Sequence, residues 1–122
     1  MYTVILKENF RASHYVRMPD GSIEKPHNHD WKLEVAVSTE ELDNNGFAVE
    51  FLSLQDTIRN VLKKLDSRDL NQIDDFKPNF PTTEIVSKYV YDNIKKHLPF
   101  GVVLEYTLLE ESKGCYIRYT EQ

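Results

Sequence analysis

The sequence contains little cysteine, glycine or proline, and it has no long hydrophobic run. A single cysteine, Cys115, excludes an internal disulfide bond. Four glycines and five prolines in 122 residues exclude collagen-like and low-complexity chains. The longest uncharged apolar stretch, residues 98–104, is far shorter than the roughly 20 residues of a membrane-spanning helix. Residues 1–10 also lack the apolar centre and the cleavage site of a secretory signal. We therefore expect a single domain over residues 1–122, located in the cytoplasm and without a membrane partner.

Positive charge is scarce as well. Fifteen Lys and Arg residues against twenty Asp and Glu residues give a formal net charge of −5, which argues against a general nucleic-acid-binding surface. The chain is nevertheless 40% hydrophobic and 11% aromatic, which is enough for a packed core. Composition therefore leaves the function open and directs attention to the four histidines.

Hydrophobic periodicity predicts an antiparallel sheet and two helices. Alternating apolar residues indicate strands, and apolar residues repeated at i, i+4 and i+7 indicate helices. The predicted elements, in chain order, are strands at 2–14 and 27–37, helices at 54–65 and 83–98, and strands at 102–110 and 115–119. This alternation predicts an α+β fold, a four-stranded antiparallel sheet with two helices on one face in the order ββααββ.

The ends of the helices and one further segment carry their own signals. Ser53 is the expected N-cap of the first helix, and the second helix is expected to open at Thr82 or Thr83. Residues 47–51 follow a strong turn signal and read as extended chain that extends the sheet.

Three histidines fall in an H-x12-H-x-H pattern. His27 and His29 lie on one face of the second strand, on the side of its apolar residues. A hairpin through the turn at residues 19–22 would bring His14 close to opposite His27. Three neutral imidazoles leave a fourth tetrahedral position open, which is typical of a catalytic zinc site, although copper, iron and nickel also suit imidazole. The alternative is that each ring is a hydrogen-bonded core residue. His97 has no such partners, and we interpret it as structural.

Other side chains admit two interpretations each. Glu110 falls on the parity of Leu104 and Leu108, where a carboxylate needs a partner or a ligand, but it also fits a solvated strand end. Asp66 follows the first helix and fits either a functional carboxylate or a solvated helix exit. Cys115 has no basic neighbour on its own face, and we interpret it as a buried small hydrophobe.

These residues together resemble the family of the 6-pyruvoyl-tetrahydropterin synthases and the bacterial 6-carboxy-tetrahydropterin synthases of queuosine biosynthesis. The markers, in order, are Phe10-Arg11-Ala12-Ser13-His14, His27-Asn28-His29, Val49-Glu50-Phe51 with Leu54, Leu65-Asp66 with Leu70-Asn71, Pro81-Thr82-Thr83-Glu84, and Glu110. The resemblance implies the tunnelling fold, in which subunits assemble into barrels as a homo-oligomer, a hexamer built as a dimer of trimers, with the active site between subunits. It also implies Zn²⁺ bound by His14, His27 and His29, with a small-molecule pterin as the substrate. By the same resemblance, Glu110 anchors the pterin ring, and Thr82, Thr83 and Glu84 line its pocket.

The sequence departs from the family at the catalytic positions. The family cysteine that precedes the H-x-H pair is absent, and Ser67 stands where the family has a histidine after Asp66. Glu24 gives the segment an E-x-x-H-x-H form. This form resembles a variant subgroup that replaces the cysteine with glutamate. On this interpretation Glu24 and Asp66 carry proton transfer. Glu24 serves only if Pro26 or a loop redirects its side chain, and otherwise it is a solvated loop residue.

Two main functions remain open at this stage, beside related chemistry on a substrate other than a pterin triphosphate. The first is a zinc-dependent lyase that acts on 7,8-dihydroneopterin triphosphate or a close analogue. Its product is either the carboxypterin of queuosine biosynthesis or the 6-hydroxymethyl-dihydropterin of folate biosynthesis. The alternative is a catalytically degenerate family member that binds zinc and a pterin without turnover.

Overall fold

The computed structural model describes residues 1–121 and contains one five-stranded sheet covered on one face by two helices. Its elements are β1 (Tyr2–His14), β2 (His27–Thr39), α1 (Phe51–Leu62), β3 (Arg68–Asp69), α2 (Thr83–Lys95), β4 (Val103–Ser112) and β5 (Cys115–Tyr119). The strand order across the sheet is β3-β1-β2-β4-β5. No helix in the described part of the chain is both long and apolar enough to cross a membrane.

The predicted α+β architecture is confirmed, with one additional strand. The four longer strands pair antiparallel as predicted, and the elements follow the predicted chain order ββααββ. The added strand, β3, has two residues and runs parallel to β1 beside Ala12 and Ser13. A two-residue strand carries no periodicity, so the sequence pattern could not reveal it.

The β1–β2 hairpin follows the predicted register. Tyr2 pairs with Thr39 at one end of the hairpin, and His14 pairs with His27 at the other. The even residues of β1 and the odd residues of β2 face the helices, because side chains on paired antiparallel residues point to the same side.

One of the two predicted helix starts is confirmed, and the other is wrong. Helix α2 begins at Thr83, one of the two predicted starts, and the Thr82 side chain accepts a hydrogen bond from the Ile85 amide, as is typical of an N-cap. Helix α1 begins before the predicted cap Ser53, because the Glu50 carboxylate accepts hydrogen bonds from two amides of the first turn. The strand predicted at residues 47–51 is therefore wrong.

The core lies between the sheet and the two helices. It is formed by Val4, Phe10, Ala12, Trp31, Leu33, Val35 and Val37 from the first hairpin, and by Leu54, Ile58, Val86, Val90 and Ile94 from the helices, with Leu104 and Leu109 from β4. Trp31 is fully buried, stacks on Phe10 with ring centroids 5.6 Å apart, and donates its indole N–H to the Ala12 carbonyl at 3.1 Å. The end of the core that carries Trp31 is also the end at which the histidines gather.

Strand β4 changes face along its length. The pairing with β2 shifts between Ala36 and Val37, so that Glu105 is an extra residue on β4. Leu104 faces the helices before the shift, and Thr107 and Leu109 face them after it. The alternation predicted from Leu104 to Glu110 is therefore wrong beyond Glu105.

Candidate metal centre

Three histidine rings meet at the end of the β1–β2 hairpin. The ring centroid of His14 lies 4.7 Å from that of His27 and 5.3 Å from that of His29, and the last two lie 4.5 Å apart. One nitrogen from each ring and one oxygen of Glu111 all lie within 4.8 Å of one another. The convergence of the three predicted histidines follows from the hairpin register and from the two-residue spacing of His27 and His29.

Two of the rings are held with their Nε2 atoms toward the cluster. His14 Nδ1 lies 2.8 Å from the Pro81 carbonyl oxygen, and His27 Nδ1 lies 3.0 Å from that of Lys25. A carbonyl oxygen only accepts, so each Nδ1 carries the hydrogen and each Nε2 of a neutral ring carries a lone pair. Backbone carbonyls commonly orient metal-bound histidines in this way.

The Nε2 atoms of His14 and His29 are buried and have no hydrogen-bond partner among residues 1–121. The pKa of His29 is lowered below its ordinary value, mainly by burial. The lowered pKa favours the neutral ring, whose lone pair is then available. Buried acceptors of this kind are costly unless a ligand satisfies them. The donor set therefore fits a cation that prefers imidazole.

Glu111 completes the cluster from strand β4. Its Oε1 atom lies 2.8 Å from His14 Nε2 and 4.0 Å from His29 Nε2. The Thr83 hydroxyl, at the start of α2, donates to the same oxygen at 3.0 Å. A carboxylate oxygen next to a nitrogen lone pair is repulsive unless a proton or a metal ion lies between them.

Two register changes in β4 explain why Glu111 and not Glu110 faces the histidines. After the shift at Glu105, the odd residues of β4 face the helices. A second irregularity, where β4 pairs with β5, places Glu111 as an extra residue between Glu110 and Ser112. Bulges of this kind commonly re-aim a side chain beside an active site. Periodicity alone missed Glu111, although the adjacent pair of glutamates at a strand end was a visible signal.

Glu110 lies on the other face of the strand. Its carboxylate accepts the Gly114 amide N–H at 3.1 Å, and this bond, followed by one from Tyr116, lowers the pKa of Glu110. Glu110, Glu111 and His29 all line one groove of about 790 Å³ along the β4–β5 hairpin. Glu110 therefore adjoins the centre without a contact to any histidine ring among the described residues.

Glu24 reaches the cluster because its segment is not part of a strand. Strand β2 begins only at His27, so residues 24–26 are free of the strand alternation. Glu24 Oε1 accepts the Val16 amide N–H at 3.0 Å and lies 3.7 Å from His27 Nε2. A loop thus redirects the Glu24 side chain toward His27, as its predicted role in proton transfer requires.

The structure does not bring Asp66 to the histidines of its own chain. Asp66 Oδ1 accepts the Arg11 amide N–H at 2.9 Å, and the Ser67 amide N–H binds the Arg11 carbonyl. Ser67 has a φ of 60°, a left-handed conformation uncommon for serine. Asp66 is exposed and helps to line a separate groove with Arg11 and Asp30.

The remaining predicted residues lie at the start of α2. Thr82 caps the helix, and Thr83 binds Glu111. Glu84 is exposed and lines a groove of about 360 Å³ together with Thr83, Glu111 and Cys115. Cys115 is exposed, so its interpretation as a buried residue is wrong.

The chain is similar to known proteins along almost its whole length. The sequence profile described as 6-pyruvoyl tetrahydropterin synthase matches residues 3–122. The chain is 35% identical over 102 residues to the dihydroneopterin monophosphate aldolase of Pyrococcus furiosus, which covers 84% of this chain and 82% of that protein. It is also 35% identical over 97 residues to the 6-carboxy-5,6,7,8-tetrahydropterin synthase of Bacillus subtilis, which covers 71% of this chain and 61% of that protein. The fold is similar to that of the Caenorhabditis elegans 6-pyruvoyl tetrahydropterin synthase, with a TM-score of 0.86 at 21% identity over 99% of this chain and 96% of the other.

Proposed function

The chain belongs to the 6-pyruvoyl tetrahydropterin synthase family, and on that premise we propose that it is a zinc-dependent lyase that cleaves the side chain of dihydroneopterin monophosphate. The observation that carries the proposal is the joint position of Glu24 and the three histidines. One relative with 35% identity over most of both chains is an aldolase that acts on this substrate, a close analogue of the expected triphosphate. The absence of a cysteine before the H-x-H pair favours carbon–carbon cleavage over formation of the carboxypterin.

We assign the metal to the Nε2 atoms of His14, His27 and His29. Three imidazoles with an open fourth position are typical of catalytic zinc. A zinc ion held there would supply Lewis-acid stabilisation of negative charge on the side-chain oxygens of the substrate. The carbonyls of Pro81 and Lys25 support the assignment, because they fix the tautomer that directs two of the lone pairs inward.

Glu24 is the proposed general base. It accepts the proton of the C2′ hydroxyl, which lies on the carbon next to the phosphorylated one. As the C2′ carbonyl forms, the C1′–C2′ bond breaks and its electron pair is delocalised into the dihydropterin ring. A proton is then returned to C1′, so that the products are 6-hydroxymethyl-dihydropterin and glycolaldehyde phosphate. The balance needs no oxidant or reductant. The Val16 amide holds the Glu24 carboxylate beside His27, as a positioned base requires.

We propose Glu111, in place of the predicted Glu110, as the acceptor for the N–H groups of the pterin ring. Glu111 is oriented by Thr83 and lies beside the histidines, whereas Glu110 is occupied by the Gly114 amide. The matched pair Glu111→Gln and Glu110→Gln tests this choice. We expect the first variant to weaken dihydroneopterin binding by roughly 10- to 100-fold and the second to change it little.

Asp66, Thr82 and Glu84 remain proposals for a site shared between copies of the chain. The outer edge of β1 is paired only at residues 12–13, and the outer edge of β5 has no neighbouring strand in residues 1–121. Exposed sheet edges of this kind pair readily with another chain. This arrangement supports the expected homo-oligomer, in which Asp66 of one copy could approach the cluster of another.

The function is tested by product chromatography after incubation with dihydroneopterin monophosphate. The zinc-loaded protein is expected to release 6-hydroxymethyl-dihydropterin, and the chelated protein is expected to release none. Glu24→Gln should lower turnover by roughly 100- to 10,000-fold, as expected for loss of a general base. Glu40→Gln, in an exposed loop after β2, is the control and should leave turnover unchanged. Full activity after removal of zinc, or in the Glu24 variant, contradicts the proposal.

The alternative is a family member that binds zinc and a pterin without catalysis. Two observations favour it: Ser67 replaces the family histidine, and Asp66 is committed to the Arg11 amide. A hydroxyl cannot replace an imidazole as a proton carrier near neutral pH. Stoichiometric zinc and tight pterin binding, with no product from the monophosphate or the triphosphate, would establish this alternative.

A further inference from the structure

A phosphorylated substrate needs a cation near a site that is mainly acidic. The chain has a net charge of −5, and Glu24 and Glu111 both lie at the metal centre. Two carboxylates repel a phosphate dianion, and although a zinc ion on the three histidines would offset their charge, a nearby basic side chain would bind the phosphate directly. The identity of that side chain determines how the site distinguishes a phosphorylated pterin from one without phosphate.

Most cations near the centre already have an anionic neighbour. Arg11 binds Asp30 with 2.9 Å between nitrogen and oxygen. Lys32 and Lys113 lie close to Glu110 and contribute to the lowering of its pKa. Lys32 and Lys113 line the groove that also holds Glu110 and Glu111, whereas Arg11 lines a separate groove with Asp30 and Asp66.

Arg17 differs from these residues in both position and partners. It directly follows Val16, the residue whose amide N–H holds the Glu24 carboxylate, and it pairs with Ile23 just before Glu24. Its guanidinium carbon lies 5.4 Å from the centre of the Phe80 ring, and one N–H donates to the Gly21 carbonyl at 3.3 Å. Arg17 forms no ion pair with any carboxylate in residues 1–121. Within the described residues, no carboxylate therefore offsets the charge of Arg17. Its two contacts orient the guanidinium, and the other N–H groups remain available to a ligand.

We infer that Arg17 binds the phosphate of the substrate and makes the site selective for a phosphorylated pterin over dihydroneopterin. The inference rests on the proposed function, in which the ring lies at Glu111 and the C2′ hydroxyl lies at Glu24. The phosphate is attached one carbon beyond C2′, so a phosphate bound past Glu24 would lie near the Arg17–Ile23 bridge, which directly precedes Glu24. A planar guanidinium binds one phosphate group through two parallel hydrogen bonds.

The test compares two ligands that differ only in the phosphate. Zinc-loaded Glu24→Gln protein, in which cleavage is slow, is titrated with dihydroneopterin monophosphate and with dihydroneopterin by pterin fluorescence. Adding Arg17→Ala is expected to weaken binding of the monophosphate by roughly 10- to 100-fold and binding of dihydroneopterin by less than about twofold. Arg17→Lys keeps the charge and should recover part of the lost affinity.

Two matched controls are available. Arg118 is also an arginine placed over an aromatic ring, 4.7 Å from the centre of Tyr106 on the open face of the sheet, and its alanine variant should bind both ligands normally. Lys25 is next to Glu24, exposed and free of ion pairs in the described residues, and its alanine variant should have a smaller effect than Arg17→Ala.

The outcomes separate the two proposals. Equal loss of both ligands in Arg17→Ala, or a larger loss in Lys25→Ala, overturns the inference about Arg17 and leaves the pterin site intact. Failure of dihydroneopterin to bind to the protein that retains Arg17 overturns the proposed function and, with it, this inference.

Discussion

Replacing Glu111 by glutamine should weaken zinc binding, because the substitution removes a negative charge and keeps the size of the side chain. The Glu111 oxygen lies 4.0 Å from His29 Nε2 and closer to His14 Nε2. At 4 Å two unit charges interact by about 4 kcal/mol in surroundings of intermediate dielectric constant, and a divalent ion doubles this to about 8 kcal/mol. The side chain is 26% exposed, so water screens much of this attraction. We expect a loss of roughly 10- to 100-fold in zinc affinity, which corresponds to about 1.4 to 2.7 kcal/mol.

The assay is a competition titration of zinc between the protein and a chromophoric chelator. Glu110→Gln is the matched control, because it removes the same charge one residue away on the opposite face of β4. Its effect on zinc affinity should stay below about threefold, since Glu110 is not among the described residues whose ligand atoms form the metal group. Equal losses in both variants, or normal affinity in Glu111→Gln, would refute the argument that the β4 register directs Glu111 to the metal.

Three further predictions concern stability. Asn71→Ala removes two hydrogen bonds to the Tyr15 backbone, at 2.9 and 3.0 Å, and should lower the free energy of unfolding in urea by about 2 kcal/mol. The control Asn93→Ala removes one helix-surface bond and should cost less than about 1 kcal/mol. Trp31→Phe leaves a gap in the core and removes an indole hydrogen bond, so urea unfolding should show a loss of about 2 to 3 kcal/mol. Burial, followed by the nearby Asp75, raises the pKa of Tyr89 from 10.0 to about 12. Because the folded protein favours the neutral phenol, this stabilisation is fully present below the pKa that Tyr89 has in the unfolded chain. It is lost as the pH rises through the pKa of Tyr89 in the folded protein. Tyr89→Phe should therefore remove a late step from the ultraviolet titration and reduce the alkaline loss of stability, and an unchanged titration would contradict the assignment.

The histidine centre could be predicted from the sequence because it depends on short-range regularities. Strand alternation and a hairpin of definite register are both visible in one segment of chain, and together they place His14 opposite His27. The start of α2 was predictable for the same reason, since the cap Thr82 lies next to the helix it caps.

Glu111 could not be predicted from alternation because its orientation depends on pairing with distant strands. The extra residue Glu105 is defined only against β2, some 70 positions earlier in the chain. Its side chain accepts a hydrogen bond from Ser38, a contact that no local pattern contains. Likewise, Glu50 displaces Ser53 as the cap of α1 because its side chain reaches forward to two amides of the first turn. Local propensity permits either Glu50 or Ser53 at the start of α1, and only the folded geometry decides which of the two caps the helix.

The buried indole of Trp31 provides an intrinsic fluorophore beside the histidine centre. Its ring lies 4.9 Å from that of His14 and 5.6 Å from that of His29, and it is the only tryptophan in the chain. Any event that changes the charge on those imidazoles changes the electric field at the indole directly. We therefore expect the emission of the wild-type protein to report metal uptake at the three histidines, with no attached dye and no engineered residue.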